Sequence, residues 1–447
     1  MLSMAAVLLA GYCFFRSLNS WRVGVLVLFG MLPYMGVFTI IFKDSSFAPL
    51  IKDFVIVMPL YISFVLSLIF KSREFSNYYD IPVSITYFIA CIIVLVVVQT
   101  LNPGVESFLM KAIGLKVWLF YLPFIYIGNH FIRSKNDLVL VLRVIAVSSI
   151  IPMCIGICEF LLSLLFGYKE VMYSIYGDAA SAATQNFQTY ELGFTLMRIP
   201  STFSYWIQYS AYTFSMVVFS YMLVKLDEGQ NWKKFARILF WVSLIAALLS
   251  GAKANFLYLS MLLMALLLFE KKSKLLTAMF FGTVVFGVVF TSVLGLDLSV
   301  AYELYSRLLL RYWGEVVVGG ILEGFTIFGL GTGVNTGPAR IAIENYDYSL
   351  DAMIENYYAK ALIELGIIGL VLILLLFRKI AVAGFQQVGQ LTSGPLKSAS
   401  AAILAYTLII IATSVKGWLL DLDPINIYFW FFVGVLFALA RCELRSV

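Results

Sequence analysis

Histidine is almost missing: His130 is the sole imidazole in 447 residues, so no histidine-built zinc or iron centre is expected. The five cysteines, Cys13, Cys91, Cys154, Cys158 and Cys442, fall in apolar segments or in the C-terminal tail, which predicts no disulfide framework. Cys154 and Cys158 share one helix face, where packing is the plain account. Internal repeats, low-complexity tracts and flexible linkers are missing too. Charge is scarce: 13% of residues are Asp, Glu, Lys or Arg, against 62% hydrophobic. The net charge of +6 is spread over short segments and forms no patch suited to nucleic acid.

What is present is apolar sequence in runs near the length of a bilayer crossing, roughly 20 residues each. They fall at 1–15, 22–42, 54–70, 81–100, 115–132, 138–166, 204–225, 236–250, 254–269, 275–295, 357–377, 398–415 and 425–440. The first is short and signal-like, but Arg16 and Arg22 follow it with no small-residue cleavage pattern, so it reads as an anchor. An open sheet cannot satisfy its backbone in lipid. The expected fold is therefore all-α, a polytopic membrane bundle of about 12–13 transmembrane helices, with 1–447 as one integral membrane domain.

Lys and Arg give the orientation. The segments 16–22, 71–80, 133–137, 225–237, 270–274, 378–397 and 441–447 carry 18 of the 31 bases and seven of the 25 acids. They alternate with acid-rich segments. The C-terminus is thus expected in the cytoplasm, with two long loops, 167–203 and 296–356, outside. The stretch 384–398 reads as an ordinary cytoplasmic connector.

The most polar stretch runs from Arg307 to Gly369. Glu303, Arg307, Arg311 and Glu315 recur every fourth residue and would line one face of a helix. Exposed ion pairing among them is one account. The other is that Arg307 and Arg311, one turn apart, add their fields toward a diphosphate. Gly329, Gly331, Gly333 and Gly337 follow, a backbone able to take positive φ and turn amides toward an anion. Asp351 and Glu355 stand one turn apart at the head of the next apolar run, where like charges raise one pKa and make a usable base. Arg340 lies between loop and acids, and Asn356 could orient a sugar hydroxyl.

Elsewhere, Arg198 stands at the end of loop 167–203 with Glu191 its nearest acidic neighbour in sequence, and Tyr205, Trp206 and Tyr209 follow as an interfacial belt. A guanidinium in that position suits a phosphate. Lys253 sits in a tight turn between two spans, where it either snorkels or captures an anionic group. Glu159 lies in an apolar run near its outer end, where an unpaired charge is costly, so it is expected either to face the outer vestibule or to be protonated. Asp44 and Asp53 adjoin Lys43 and Lys52, which favours ion pairing over a cation site. These parts fit transfer of a sugar from a lipid diphosphate to a hydroxyl, with arginines neutralising the leaving group and a carboxylate as base.

Three stretches resemble the O-antigen polymerase and O-antigen ligase superfamily of Wzy-type polymerases and lipopolysaccharide ligases. They are RIPSTFSY at 198–205, LLSGAKANFL at 248–257, and RYWGEVVVGGILEGFTIFGLGTGVN at 311–335 with IENYYAKALIELGIIGL at 354–370, which ends on Glu-x-Gly-x-x-Gly. Lys253 stands where that family usually has Arg, and Glu355 where its ligases carry His, a departure that favours polymerase over ligase.

The resemblance implies a GT-C-like, metal-independent inverting glycosyltransferase of the bacterial inner membrane. It would act on the periplasmic face, joining undecaprenyl-diphosphate-linked oligosaccharides in O-antigen, exopolysaccharide or capsule synthesis. Glu355, Arg311 and Arg307 are the expected catalytic residues, and Arg198, Lys253, Arg340, Asn356 and Asp351 the expected substrate contacts. No cofactor is expected; the partners would be the lipid-linked glycan, membrane lipid and a chain-length regulator. The alternatives are a ligase, a flippase for the same lipids, a polymerase of the shape, elongation, division and sporulation type, and a metal-dependent enzyme using Asp421 and Asp423.

Overall fold

The computed structural model describes residues 2–42, 50–70, 80–191, 195–269, 322, 326–337, 339, 355–392 and 394–444. Nine helical stretches among them are long and apolar enough to cross a membrane. The chain begins with α1 (Leu2–Asn19), α2 (Trp21–Met31) and α3 (Met35–Ile41). α4 (Met58–Phe70), entered through a π-helical turn at Asp53–Val57, and α5 (Val83–Thr100) follow. Next come α6 (Phe108–Leu119) and α7 (Phe124–Phe131), divided at Pro123, then α8 (Lys135–Ser148) and α9 (Ile150–Phe166). The apolar run at 275–295 lies outside the described residues.

The expected loop 167–203 carries regular structure. It holds α10 (Tyr168–Tyr176), a short α11 (Ala180–Ala183) and a hairpin of β1 (Thr189–Glu191) with antiparallel β2 (Thr195–Met197), Tyr190 facing Leu196. α12 (Trp206–Leu226), α13 (Gln230–Leu249) and α14 (Lys253–Phe269) return through the bundle, and α15 (Tyr357–Gln390), α16 (Pro395–Thr413) and α17 (Ile425–Leu444) complete it. The stretch expected as a connector from 384 is helical up to Gln390. Ile380, Gly384 and Val388 are all buried, and their spacing of four puts them on one packed stripe that carries the helix onward.

α17 is the axis of the bundle. Its span is 94% buried, whereas that of α5 is 28% buried and otherwise faces the surroundings. In lipid this burial gains packing and dispersion rather than release from water. Aromatic rings supply the interlock: Phe432 stacks on Phe219 at 4.4 Å and Phe431 meets Phe29 edge-on at 4.8 Å. At the end of the bundle where α8 begins, a capping box of Ser134 and Asp137 starts that helix. Arg143 grips Asp227 through two hydrogen bonds of 2.7 and 2.8 Å. The opposite end gathers the starts of α12, α14, α15 and α17.

Candidate functional site

At that opposite end, two of the stretches singled out in the sequence touch. The backbone N–H of Ile199 donates to Ser250 O at 3.3 Å. Gly251 takes φ of 79°, and a Cβ there would stand 2.2 Å from Met197 O, so only glycine lets the turn lie this close. Asn255 locks the turn by donating to Ala247 O at 3.0 Å and Ser250 Oγ at 3.1 Å.

This contact delivers Arg198 and Lys253 to one aromatic ring. Lys253 Nζ lies 3.9 Å from the centre of Tyr190, and Arg198 Cζ lies 4.9 Å from it and 4.4 Å from Trp206. Arg198 is buried and donates from Nη1 to Gln185 and from Nη2 to the Tyr190 hydroxyl. Gln185 also accepts from Trp206 Nε1 at 3.3 Å. Both guanidinium partners are neutral. Among the described residues no carboxylate lies within ion-pair distance of Arg198 or Lys253.

The charges acting on Lys253 are positive. Burial, then Lys416 and Arg198, hold the Lys253 ammonium below its ordinary range just ahead of the span at 254–269. Glu355 is exposed and close enough to act on Tyr205: burial first, then the Glu355 carboxylate, raise that phenol, while Trp206 and Arg198 oppose them. Arg198, Lys253 and Glu355 therefore belong to one neighbourhood. Asn356 is the N-cap of α15, its side-chain oxygen accepting from the amides of Tyr358 at 2.9 Å and Ala359 at 3.1 Å. Arg307, Arg311, Arg340 and Asp351 lie outside the described residues.

Glu159 supports this site from beneath. Its Oε2 accepts from Ser201 N–H at 2.9 Å, and Tyr176 closes on both Glu159 and the Ser201 carbonyl. Ser201 takes φ of 53°, so the carboxylate stabilises the left-handed turn that follows Arg198. Tyr168 adds a 2.6 Å bond to the Arg198 carbonyl.

A second cluster lies nearby, and there every acid has a lysine. Asp53 faces Lys116 at 2.6 Å and Lys52 at 3.0 Å; Asp423 faces Lys52 at 2.7 Å; Asp421 faces Lys360 at 2.6 Å. Burial lowers the Lys52 ammonium, but Asp423 and Asp53 outweigh it and hold the pKa above its usual range. Burial raises Asp421 and Lys360 opposes it. Ion pairing, expected for Asp53 with Lys52, is what is seen. The two acids of Asp421-x-Asp423 are neutralised separately rather than aimed at a common point.

The glycine-rich loop takes the positive φ anticipated for it, at 79°, 105° and 94° for Gly329, Gly331 and Gly333. Several of its N–H groups go to the protein, however: Leu330 N donates to Ile363 O at 2.7 Å, Gly331 N to Glu364 O at 3.2 Å and Asn335 N to Glu364 Oε1 at 2.8 Å. Sequence reasoning passed over Gln185, Tyr190 and Lys416. The content of Tyr, Gln, Asn, Ser and Thr in 167–203, high for a membrane connection, is the signal that could have pointed toward the first two.

No protein-family model matches this sequence, and no curated protein matches it. The functional reading therefore stands on the residues and geometry above.

Proposed function

We propose that the chain is a glycan polymerase of the O-antigen polymerase type, transferring oligosaccharide from an undecaprenyl-diphosphate donor to a hydroxyl of a second lipid-linked unit. The observation that carries this reading is that Arg198 and Lys253 both lie against the Tyr190 ring. Two cations brought together with no carboxylate in ion-pair distance among the described residues repel each other, an arrangement stabilised by an anionic ligand. A diphosphate at the end of a set of apolar helices has the required charge and the required anchor.

In this reading the acceptor oxygen bonds to the anomeric carbon as the bond from that carbon to the phosphate oxygen breaks. The hydroxyl proton passes to Glu355. The lipid diphosphate leaves with the electron pair, and Arg198 and Lys253 neutralise the added charge, the task a divalent metal or general acid performs elsewhere. Attack opposite the leaving group inverts the anomeric centre. Arg307, Arg311 and Arg340 would add to the neutralisation, and Asp351 and Asn356 to acceptor binding. The charge asymmetry of the loops supports a site on the outer face of the membrane; the bacterial inner membrane and a chain-length regulator as partner protein follow only from the resemblance.

The test uses purified protein in nanodiscs with a synthetic undecaprenyl-diphosphate oligosaccharide and EDTA, products being read by gel and mass spectrometry. A ladder of lipid-linked glycan from wild type, lost in Arg198→Ala and Glu355→Gln, is expected. Glycan moved to a different acceptor would make the protein a ligase. Intact lipid carried across a vesicle wall without lengthening would make it a flippase.

A further inference from the structure

The glycine-rich loop already holds an acidic side chain, that of Glu364. Gly366 takes φ of 74° and ψ of −175°, so α15 is broken into an outer piece ending near Leu365 and a long inner piece. The break releases carbonyls that helical amides would otherwise occupy. Loop amides take them: Leu330 N bonds Ile363 O at 2.7 Å and Gly331 N bonds Glu364 O at 3.2 Å. Gly329 and Gly366 allow the approach, since a Cβ on Gly329 would stand 2.5 Å from Glu364 O and one on Gly366 2.3 Å from Ile327 O.

The fully buried Glu364 carboxylate completes the clamp. Oε1 accepts from Asn335 N at 2.8 Å and Thr336 Oγ1 at 2.8 Å, and Oε2 from Trp118 Nε1 at 2.7 Å. The face of the same indole carries Lys360 Nζ at 4.3 Å, itself paired with Asp421 at 2.6 Å. The outer piece of α15 is thus fixed on two sides. Asn356 caps that piece and Glu355 immediately precedes the cap.

We infer that Glu364 is a positioning residue: it clamps the glycine-rich loop to the outer piece of α15 and so sets the place of Glu355 relative to the Arg198–Lys253 pair. This rests on the reading of Glu355 as base. The loop is then internal scaffolding rather than a cradle for the substrate diphosphate.

The experiment compares wild type, Glu364→Gln, Trp118→Phe and the double variant in nanodiscs, by amide exchange of Leu330, Gly331 and Asn335 and by kcat and donor KM for glycan extension. In Glu364→Gln one oxygen still accepts from Asn335 and Thr336, but the amide N–H2 opposes Trp118 Nε1–H. Exchange should quicken at least about tenfold and kcat fall about 100-fold, as for a reacting group displaced by an ångström. Donor KM should stay within about threefold, because the cation pair is carried by other segments. Adding Trp118→Phe removes the opposing donor and should restore at least about tenfold in kcat, a non-additive gain.

Unchanged exchange in Glu364→Gln would refute the clamp whatever the activity. Faster exchange with unchanged kcat would refute the positioning role, as would a rise in KM alone. Wild type that extends no glycan overturns the enzyme reading and the role toward Glu355, an outcome separable from the clamp because exchange is measured without turnover.

Discussion

Lys360 and Arg198 are both buried at the same end of the bundle, yet they are treated in opposite ways. Lys360 meets Asp421 at 2.6 Å and rests on the Trp118 ring. Arg198 meets an amide oxygen, a phenol and two aromatic faces. A buried cation with its carboxylate is complete and belongs to the scaffold. One whose partners among the described residues are neutral and exchangeable, with a lysine on the same ring, has its charge at hand for a ligand.

The largest expected effect comes from breaking the completed pair. Lys360→Ala leaves Asp421 without its counter-charge and should destabilise the protein by about 3–5 kcal/mol, read by denaturation in detergent. Combining it with Asp421→Leu should recover most of that loss; if the double variant is no better than the single, the pair is not a closed unit.

On the other side of the comparison, Arg198→Ala should lower glycan extension by about 10²–10³-fold, as loss of a charge-stabilising donor does, with a melting temperature close to wild type. Arg198→Lys should recover only part, since the two-pronged donor geometry is lost. A collapse of stability in Arg198→Ala would put it with the scaffold and erase the contrast.

A pH series sharpens it further. Because burial, Lys416 and Arg198 depress the Lys253 ammonium, it surrenders its proton at lower pH than an ordinary lysine. The cation pair then loses one charge as pH rises through that lowered value, and donor affinity should fall there. Lys253→Arg should remove this alkaline limb, its guanidinium staying protonated.

Tyr190→Phe should have the smallest effect. It deletes the hydroxyl that accepts from Arg198 but keeps the ring, so donor KM should shift by no more than about threefold, within the net worth of one hydrogen bond. Tyr190→Ala, which removes the ring shared by both cations, should cost more, about 1 kcal/mol for each cation–π contact.

The apolar runs were legible because the bilayer imposes a length that the sequence must meet. Ser250-Gly251-Ala252-Lys253 was legible as a tight turn between two of them. That this turn lies against Met197 and Arg198 was not, since the contact joins residues about fifty positions apart and depends on a left-handed glycine. The glycine-rich loop shows the same division. Its positive φ followed from composition, but what its amides would hold did not, because the Glu-x-Gly-x-x-Gly pattern marks Glu364 without saying which segment packs against it.

The sequence alone determined that this is a predominantly helical, multi-pass membrane protein and which few residues carry charge within it, because solvent-scale burial and helix length act locally along the chain. The tertiary structure decided which charges are cancelled. Lys52, Lys116 and Lys360 found carboxylates across the bundle while Arg198 and Lys253 found a shared tyrosine. Coulomb interactions are decided by ångström distances between segments that the sequence keeps far apart.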